Sequence, residues 1–300
     1  MILNGDGSVG LGDVDEPAPA DHEVVVQVEA YSVNRGETFL LESPRPGWRP
    51  GKDVAGTVVQ PAGSGAGPVR GRRVVAHPES GGWAERVAVP VDRLAALPDE
   101  VPPSVAAALP LAGLTAVRLA RTVGSLAGRR VLLTGASGGV GHYFVELATA
   151  QGAYVTAVVS SAERGARLRS LGADVITDIE PAGDGYDVVI VSVGGRVFPA
   201  AWRRLSNDGL FVWMGQSSRQ RPVIDFFDWR GGTSATLRKF LYSDDPTPVA
   251  DDLATLVRLV RLGHLHPEID SVRPWSETPD VLAALLARRI RGNAVLEVTP

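Results

Sequence analysis

A chain of 300 residues, 44% hydrophobic and 21% charged, carries enough apolar material for one large or two ordinary globular domains, and its 34 Gly and 22 Pro follow no fixed period. It contains no cysteine, which excludes disulfides, thiolate nucleophiles, iron–sulfur clusters and any zinc site built on Cys. The net charge of −4, with 34 acidic and 30 basic residues interspersed, argues against a nucleic-acid or anionic-membrane surface and leaves small molecules as the expected partners.

The opening MILNGDGSVG has neither a cationic flank nor an apolar stretch, and no run of about eighteen uncharged apolar residues occurs, so a cytoplasmic location is expected. Segments 24–29, 55–59, 73–76 and 85–89 are β-branched or alternating and are separated by Gly/Pro clusters, which predicts a small β-rich domain. From 104 to 123 the chain reads as one Ala/Leu-rich helix. Strand and helix then alternate: strand 131–135, helix 140–151, strand 154–160, helix 162–171, and strands 187–193 and 210–215. Nearly uninterrupted apolar strands fit a parallel sheet covered on both faces. Residues 235–243 predict a last or edge strand and 249–262 an amphipathic helix. The tail reads as strand, helix (280–290) and strand; too short to fold alone, it is expected to rejoin the first domain. The resulting boundaries are 1–108 with 263–300 for the β-rich domain and 109–262 for the α/β domain.

Strand VLLTG runs into ASGGVG and then a helix, placing Gly135, Ser137, Gly138, Gly139, Val140 and Gly141 at the strand-to-helix turn of the first βαβ unit. Such a turn holds a dinucleotide diphosphate: glycines permit the tight turn and close backbone approach, and the helix N-terminus offers free N–H groups. Ala136 stands where the fingerprint's first Gly would be. NAD-binding folds carry an Asp or Glu at the end of the second strand, about 20 residues beyond the glycines. Here that place holds Ser160 and Ser161, with Arg164 expected one turn into the next helix, a set suited to a 2′-phosphate. NADPH is the cofactor inferred.

These features lie in a chain that resembles the medium-chain dehydrogenase/reductase superfamily, in its zinc-independent quinone oxidoreductase (zeta-crystallin-like) branch. The segments VVVQVEAYSVN, PGKDVAGTVV, GGWAERVAVP, LPLAGLTAVRLA, VLLTGASGGVG, SLGADVI, DVVIVSVGG and RGNAVLEV match in order along most of the chain. The resemblance implies an α/β protein: a discontinuous GroES-like β-rich domain completed by the tail, a doubly wound Rossmann domain, and a nicotinamide cleft at their junction. Zinc-dependent members use Cys, His and Cys at positions that here hold Asn34, Lys52 and Ala112, and the five histidines show no metal-ligand spacing, so no metal is expected.

By the same resemblance Asn34 faces the nicotinamide end of the cleft and Thr115 lies near the carboxamide. Gly194 and Gly195, then Gly215, Gln216 and Ser217, fall at C-terminal strand ends, where open α/β sheets bind ligands, and Asn293 in the closing loop is a further cofactor candidate. Lys52 is a candidate for stabilising negative charge, with a solvent-facing turn as its other reading. Four positions depart from the family pattern: Phe39 replaces a Tyr, Glu37 an Asp, Val191 an Asp, and Arg72 the Asp of a GDRV turn. Phe39 cannot donate a proton, so solvent protonation of a delocalised product is expected. Hydride delivery to a quinone or an α,β-unsaturated carbonyl is the favoured chemistry; a biosynthetic enoyl reductase with a polyketide-like enone and a non-catalytic NADPH-binding protein are the alternatives. The apolar edge at 235–243 predicts a homodimer.

Overall fold

The change of texture near residue 104 corresponds to two sheets of different construction in the computed structural model, which describes residues 1–4, 7–180, 183, 185–228 and 230–299. In chain order the elements are β1 (Ile2–Leu3), β2 (Val9–Gly10), β3 (Glu23–Val33), α1 (Arg35–Glu42), β4 (Val54–Gln60), β5 (Arg73–Ala76), β6 (Arg86–Pro90), β7 (Leu94–Ala96), α2 (Pro103–Ala107) and α3 (Pro110–Val123). Then follow β8 (Arg130–Thr134), α4 (Gly139–Ala150), β9 (Tyr154–Val158), α5 (Ala166–Ser170), β10 (Asp174–Ile176), β11 (Tyr186–Val191), α6 (Val197–Trp202), β12 (Leu205–Trp213) and β13 (Thr236–Lys239). The chain closes with α7 (Val249–Arg261), β14 (Ile269–Pro274), α8 (Thr278–Leu286) and β15 (Asn293–Glu297). Two compact units result, Met1–Leu114 with Thr247–Pro300, and Thr115–Pro246.

The first unit is discontinuous in sequence. Its sheet runs β14-β15-β3-β4-β5-β7, with β6 paired to β3, and the tail enters through antiparallel pairing of β15 with β3, Ala294 opposite Val33. The long β3 buries Val24, Val26 and Val28 on one face and, past a register shift between Val28 and Ala30, Tyr31, in a core that Leu282, Leu285 and Leu296 of the tail complete. Tyr31 stacks on Trp83 with ring centroids 5.8 Å apart.

The second unit holds a six-stranded sheet in the order β10-β9-β8-β11-β12-β13, every neighbouring pair parallel. Ranked by chain position this is 3-2-1-4-5-6, the Rossmann order, whose switch point lies between β8 and β11. β11 is buried over Val188, Val189, Ile190 and Val191, as a sheet covered on both faces requires.

Several sequence expectations shift. The single helix over 104–123 is two, because Pro110 has no N–H to continue α2 and instead begins α3 at a first-turn position. The helix expected over 162–171 shrinks to α5: Gly165 N–H and Ala166 N–H bond three residues back, to Ala162 and Glu163, so turns occupy the approach and Arg164 precedes the helix. The strand expected over 235–243 ends at Lys239, and a short 3-10 turn covers Tyr242–Asp244. Helix α7, assigned by sequence to the Rossmann domain, lies in the first unit, where it packs on β7 and β5 and buries Leu253, Leu256 and Val257. Its apolar stripe is equally legible in either setting, and only the partner differs. Among the described residues no helix is long and apolar enough to cross a membrane.

Candidate active site

At the switch point β8 ends in Thr134 and the chain turns at Gly135, whose φ of 66° lies in the left-handed region. A Cβ on Gly135 would fall 2.4 Å from Ser192 Oγ. That hydroxyl donates to the Thr134 carbonyl at 2.7 Å, and Ser192 N–H donates to Thr134 Oγ1 at 3.1 Å, which ties the C-terminal ends of β8 and β11 together. Ala136 is fully buried, has no need of a positive φ, and donates its N–H to the Val158 carbonyl at the end of β9, so alanine is accommodated there.

Gly138 caps α4 in extended conformation, and the first helical bond runs from His142 N–H to its carbonyl at 3.2 Å. The N–H groups of Gly139, Val140 and Gly141 therefore face out of the first turn of a twelve-residue helix, with its partial positive charge behind them. Gly141 cannot be anything larger: a Cβ there would sit 2.1 Å from the Ala136 carbonyl oxygen. Turn, helix end and close backbone contact together form a cradle that suits a diphosphate.

The second-strand cluster reaches this cradle. Arg164 Nε donates to the buried Ser137 Oγ at 3.1 Å, and Arg164 N–H reaches Ser161 Oγ at 3.4 Å, while Ser160 is exposed at the end of β9. Around Ser192 gather the later candidates: Ser217 N–H donates to its carbonyl at 3.0 Å, a Cβ on Gly215 would lie 3.1 Å from that oxygen, and one on Gly194 would lie 2.7 Å from Gln216 Cγ. Thr115 is buried on α3. Sequence reasoning did not find Thr134 and Ser192, which are 58 residues apart and meet only across the sheet.

In the first unit Asn34 follows β3 and caps α1, whose third residue, Glu37, accepts Asn34 N–H at 3.0 Å. Asn34 Nδ2 donates to Asp53 Oδ2 at 2.7 Å. Asp53, fully buried and also missed by the sequence reading, takes three more contacts: Ser32 Oγ at 2.9 Å, His77 Nδ1 at 3.1 Å, and Leu111 N–H in the first turn of α3 at 3.0 Å. Glu37 accepts Gly51 N–H at 3.0 Å; burial first, then the nearby Asp53 charge, pushes its carboxyl up to about 8. Lys52 is half-buried, and its charge works in the opposite direction on Glu37.

Asn293 N–H and Nδ2 both donate to the Glu268 carbonyl, at 2.8 and 3.3 Å, fastening the start of β15. Tyr31 is fully buried with its hydroxyl 2.6 Å from Thr278 Oγ1, and burial drives its pKa far up. Tyr242 receives Arg118 on its carbonyl at 2.8 Å. Phe39 stands 40% exposed on α1.

A family model described as an alcohol dehydrogenase GroES-like domain matches residues 20–99, and one described as a zinc-binding dehydrogenase matches residues 139–260. The chain lacks the cysteines of a zinc site, and among the described residues no group of three or more His, Asp or Glu is placed to hold a metal ion. The chloroplast envelope quinone oxidoreductase homolog of Arabidopsis thaliana is 32% identical, over 98% of this chain and 95% of its own length. A mycobacterial structure complexed with NADPH superposes with a TM-score of 0.86 at 26% identity, covering 95% of this chain and 94% of that one. Escherichia coli quinone oxidoreductase complexed with NADPH shares the fold at a TM-score of 0.86 and 24% identity, with the same coverage. Two domain matches in order, a relative aligned end to end and a Rossmann switch point with its glycine cradle converge on one assignment: the chain belongs to the medium-chain dehydrogenase/reductase superfamily, in its zinc-independent quinone oxidoreductase branch.

Proposed function

We propose that this protein is an NADPH-dependent oxidoreductase acting on a quinone or an α,β-unsaturated carbonyl. The observation that carries the cofactor reading is the link between Arg164 and Ser137, which puts a guanidinium beside the glycine cradle on a fold whose second strand is followed by serines rather than an acid. The cradle fits a dinucleotide: Gly141 leaves the space that a Cβ would take, and the first turn of α4 offers N–H donors to a diphosphate. Arg164, with Ser160 and Ser161, is assigned to the 2′-phosphate; Thr115, Gly194, Gly215, Gln216 and Ser217 are assigned to the remainder of the cofactor, and Asn293 keeps only a supporting place at β15.

NADPH, when bound, supplies a hydride to an electron-poor carbon. The chain's own part is to orient and to shield. Asn34 is assigned to the nicotinamide end, held rigid by the α1 cap and by Asp53, and Lys52 to electrostatic stabilisation of negative charge. No tyrosine is assigned as acid, since Phe39 occupies one candidate position and Tyr31 is engaged inside the core. An acceptor whose reduced form delocalises charge, as a hydroquinone or an enolate, needs no dedicated donor and takes its proton from water.

Incubation of the purified protein with NADPH or NADH and a panel of quinones, enones and saturated ketones tests this reading. NADPH oxidation is expected with quinones or enones and not with saturated ketones; NADPH binding without oxidation across the panel would make the protein a binder and refute the enzyme reading.

A further inference from the structure

The Asp53 cluster contains more order than capping α1 requires. Its carboxylate is fully buried, and its surroundings supply donors on both oxygens: Ser32 Oγ and Asn34 Nδ2 on Oδ2 and Leu111 N–H on Oδ1, with His77 Nδ1 3.1 Å from Oδ1. Leu111 N–H is a donor in every protonation state and sits in the first turn of α3, where the helix dipole favours an anion. A carboxylate in this setting accepts only. An Asn side chain has two near-isosteric flip states, and an acceptor-only partner at 2.7 Å admits just the one that presents Nδ2.

We propose that Asp53 is a positioning residue that selects the flip state of the Asn34 carboxamide, and thereby fixes which of its atoms is offered to the reacting ligands. The inference rests on the assignment of Asn34 to the nicotinamide end. Asp53 itself touches neither cofactor nor substrate in this account; it acts through Asn34. The second anchor at Leu111 makes its own orientation rigid, so that the Asn34 amide is referenced to α3 as well as to its own strand.

The donor pattern yields an asymmetric test. In Asp53→Asn the new amide must keep its oxygen toward Leu111 N–H, which cannot accept, so its NH2 group faces Ser32 and Asn34 and forces the Asn34 carboxamide to turn over. The reciprocal pair Asp53→Asn with Asn34→Asp restores a donor–acceptor match and moves the buried charge by one side chain, toward the N-terminus of α1.

Two readouts decide. In 15N-asparagine-labelled protein without cofactor, the Asn34 side-chain NH2 pair, identified by its loss in Asn34→Ala, should show one proton shifted downfield and protected from exchange; Asp53→Asn should abolish that signature. Turnover with NADPH and a quinone should fall at least about tenfold in Asp53→Asn at a comparable melting temperature, and in the reciprocal pair the amide now at position 53 should carry the downfield, exchange-protected NH2 proton. An unchanged Asn34 amide in Asp53→Asn, or full turnover by a folded Asp53→Asn protein, would overturn the positioning role. Full turnover by Asn34→Ala would overturn the Asn34 assignment itself, and the positioning role with it, whatever the amide spectrum shows.

Discussion

Arg164 and Ser137 are 27 residues apart and joined by a 3.1 Å hydrogen bond, Nε to Oγ, that anchors the guanidinium after β9 to the glycine turn before α4. The bond uses Nε, one donor of the guanidinium fork, and keeps the positive charge beside the glycine turn. Arg164→Ala is therefore expected to weaken NADPH by about 1.5–3 kcal/mol and NADH far less, as the loss of a charged hydrogen bond implies. Fluorescence titration of both cofactors checks it; equal losses would mean that another residue reads the phosphate.

Gly141 supplies a prediction of the opposite sort, since its space is taken by backbone. A methyl group 2.1 Å from the Ala136 carbonyl oxygen cannot be relieved by a side-chain rotation. Gly141→Ala should cost about 1–3 kcal/mol of stability and lower affinity for NADPH and NADH alike. Gly138→Ala is the control: its Cβ would meet only the Gly135 carbonyl at 3.6 Å, an ordinary contact, so stability should change little.

Glu37 makes stability depend on pH. Its carboxyl is raised from 4.5 to about 8 in the folded protein, by burial and by the neighbouring Asp53 charge, so the folded state holds this proton more tightly than the unfolded chain. Its stabilising contribution is fully present below about pH 4.5 and is lost as pH rises through about 8. Relative to Glu37→Gln, wild-type unfolding free energy should drop by about 2 kcal/mol or more between pH 5 and pH 8.5, measured by urea titration. A constant difference across that range would contradict the assignment.

How much of this was legible in the sequence depends on whether a feature is local. The glycine turn was legible because strand, glycines and helix are consecutive. The link from Thr134 to Ser192 was not, because two ordinary hydroxyl residues acquire meaning only when β8 and β11 lie side by side. Asp53 was missed for the same reason: its four partners, Ser32, Asn34, His77 and Leu111, come from separate segments. Arg164 was placed in a helix because Ala, Glu and Arg favour one, whereas Gly165 packs so tightly that a Cβ would lie 2.3 Å from Val175 Cγ1 and the approach remains a turn. Asn293 was a candidate from its place in the closing loop, and its two bonds to the Glu268 carbonyl were not legible because Glu268 lies on a separate segment.

β13 forms the edge of the parallel sheet, all four of its residues are exposed, and Leu237 is 40% exposed. An edge of this kind is expected to be covered by its own copy across a two-fold axis. Light scattering at micromolar concentration should return a dimer, and Leu237→Lys should shift it toward monomer; a wild-type monomer would contradict the expectation.

The most direct test of the account follows the hydride. With NADPH carrying deuterium at C4 of the nicotinamide and an α,β-unsaturated ketone as acceptor, one deuterium should appear at the β-carbon of the saturated product, and the α-carbon should take its hydrogen from solvent without stereochemical preference. Deuterium at a carbonyl carbon of a saturated ketone, a single α-stereoisomer in deuterated water, or no transfer to any conjugated acceptor or quinone would contradict it.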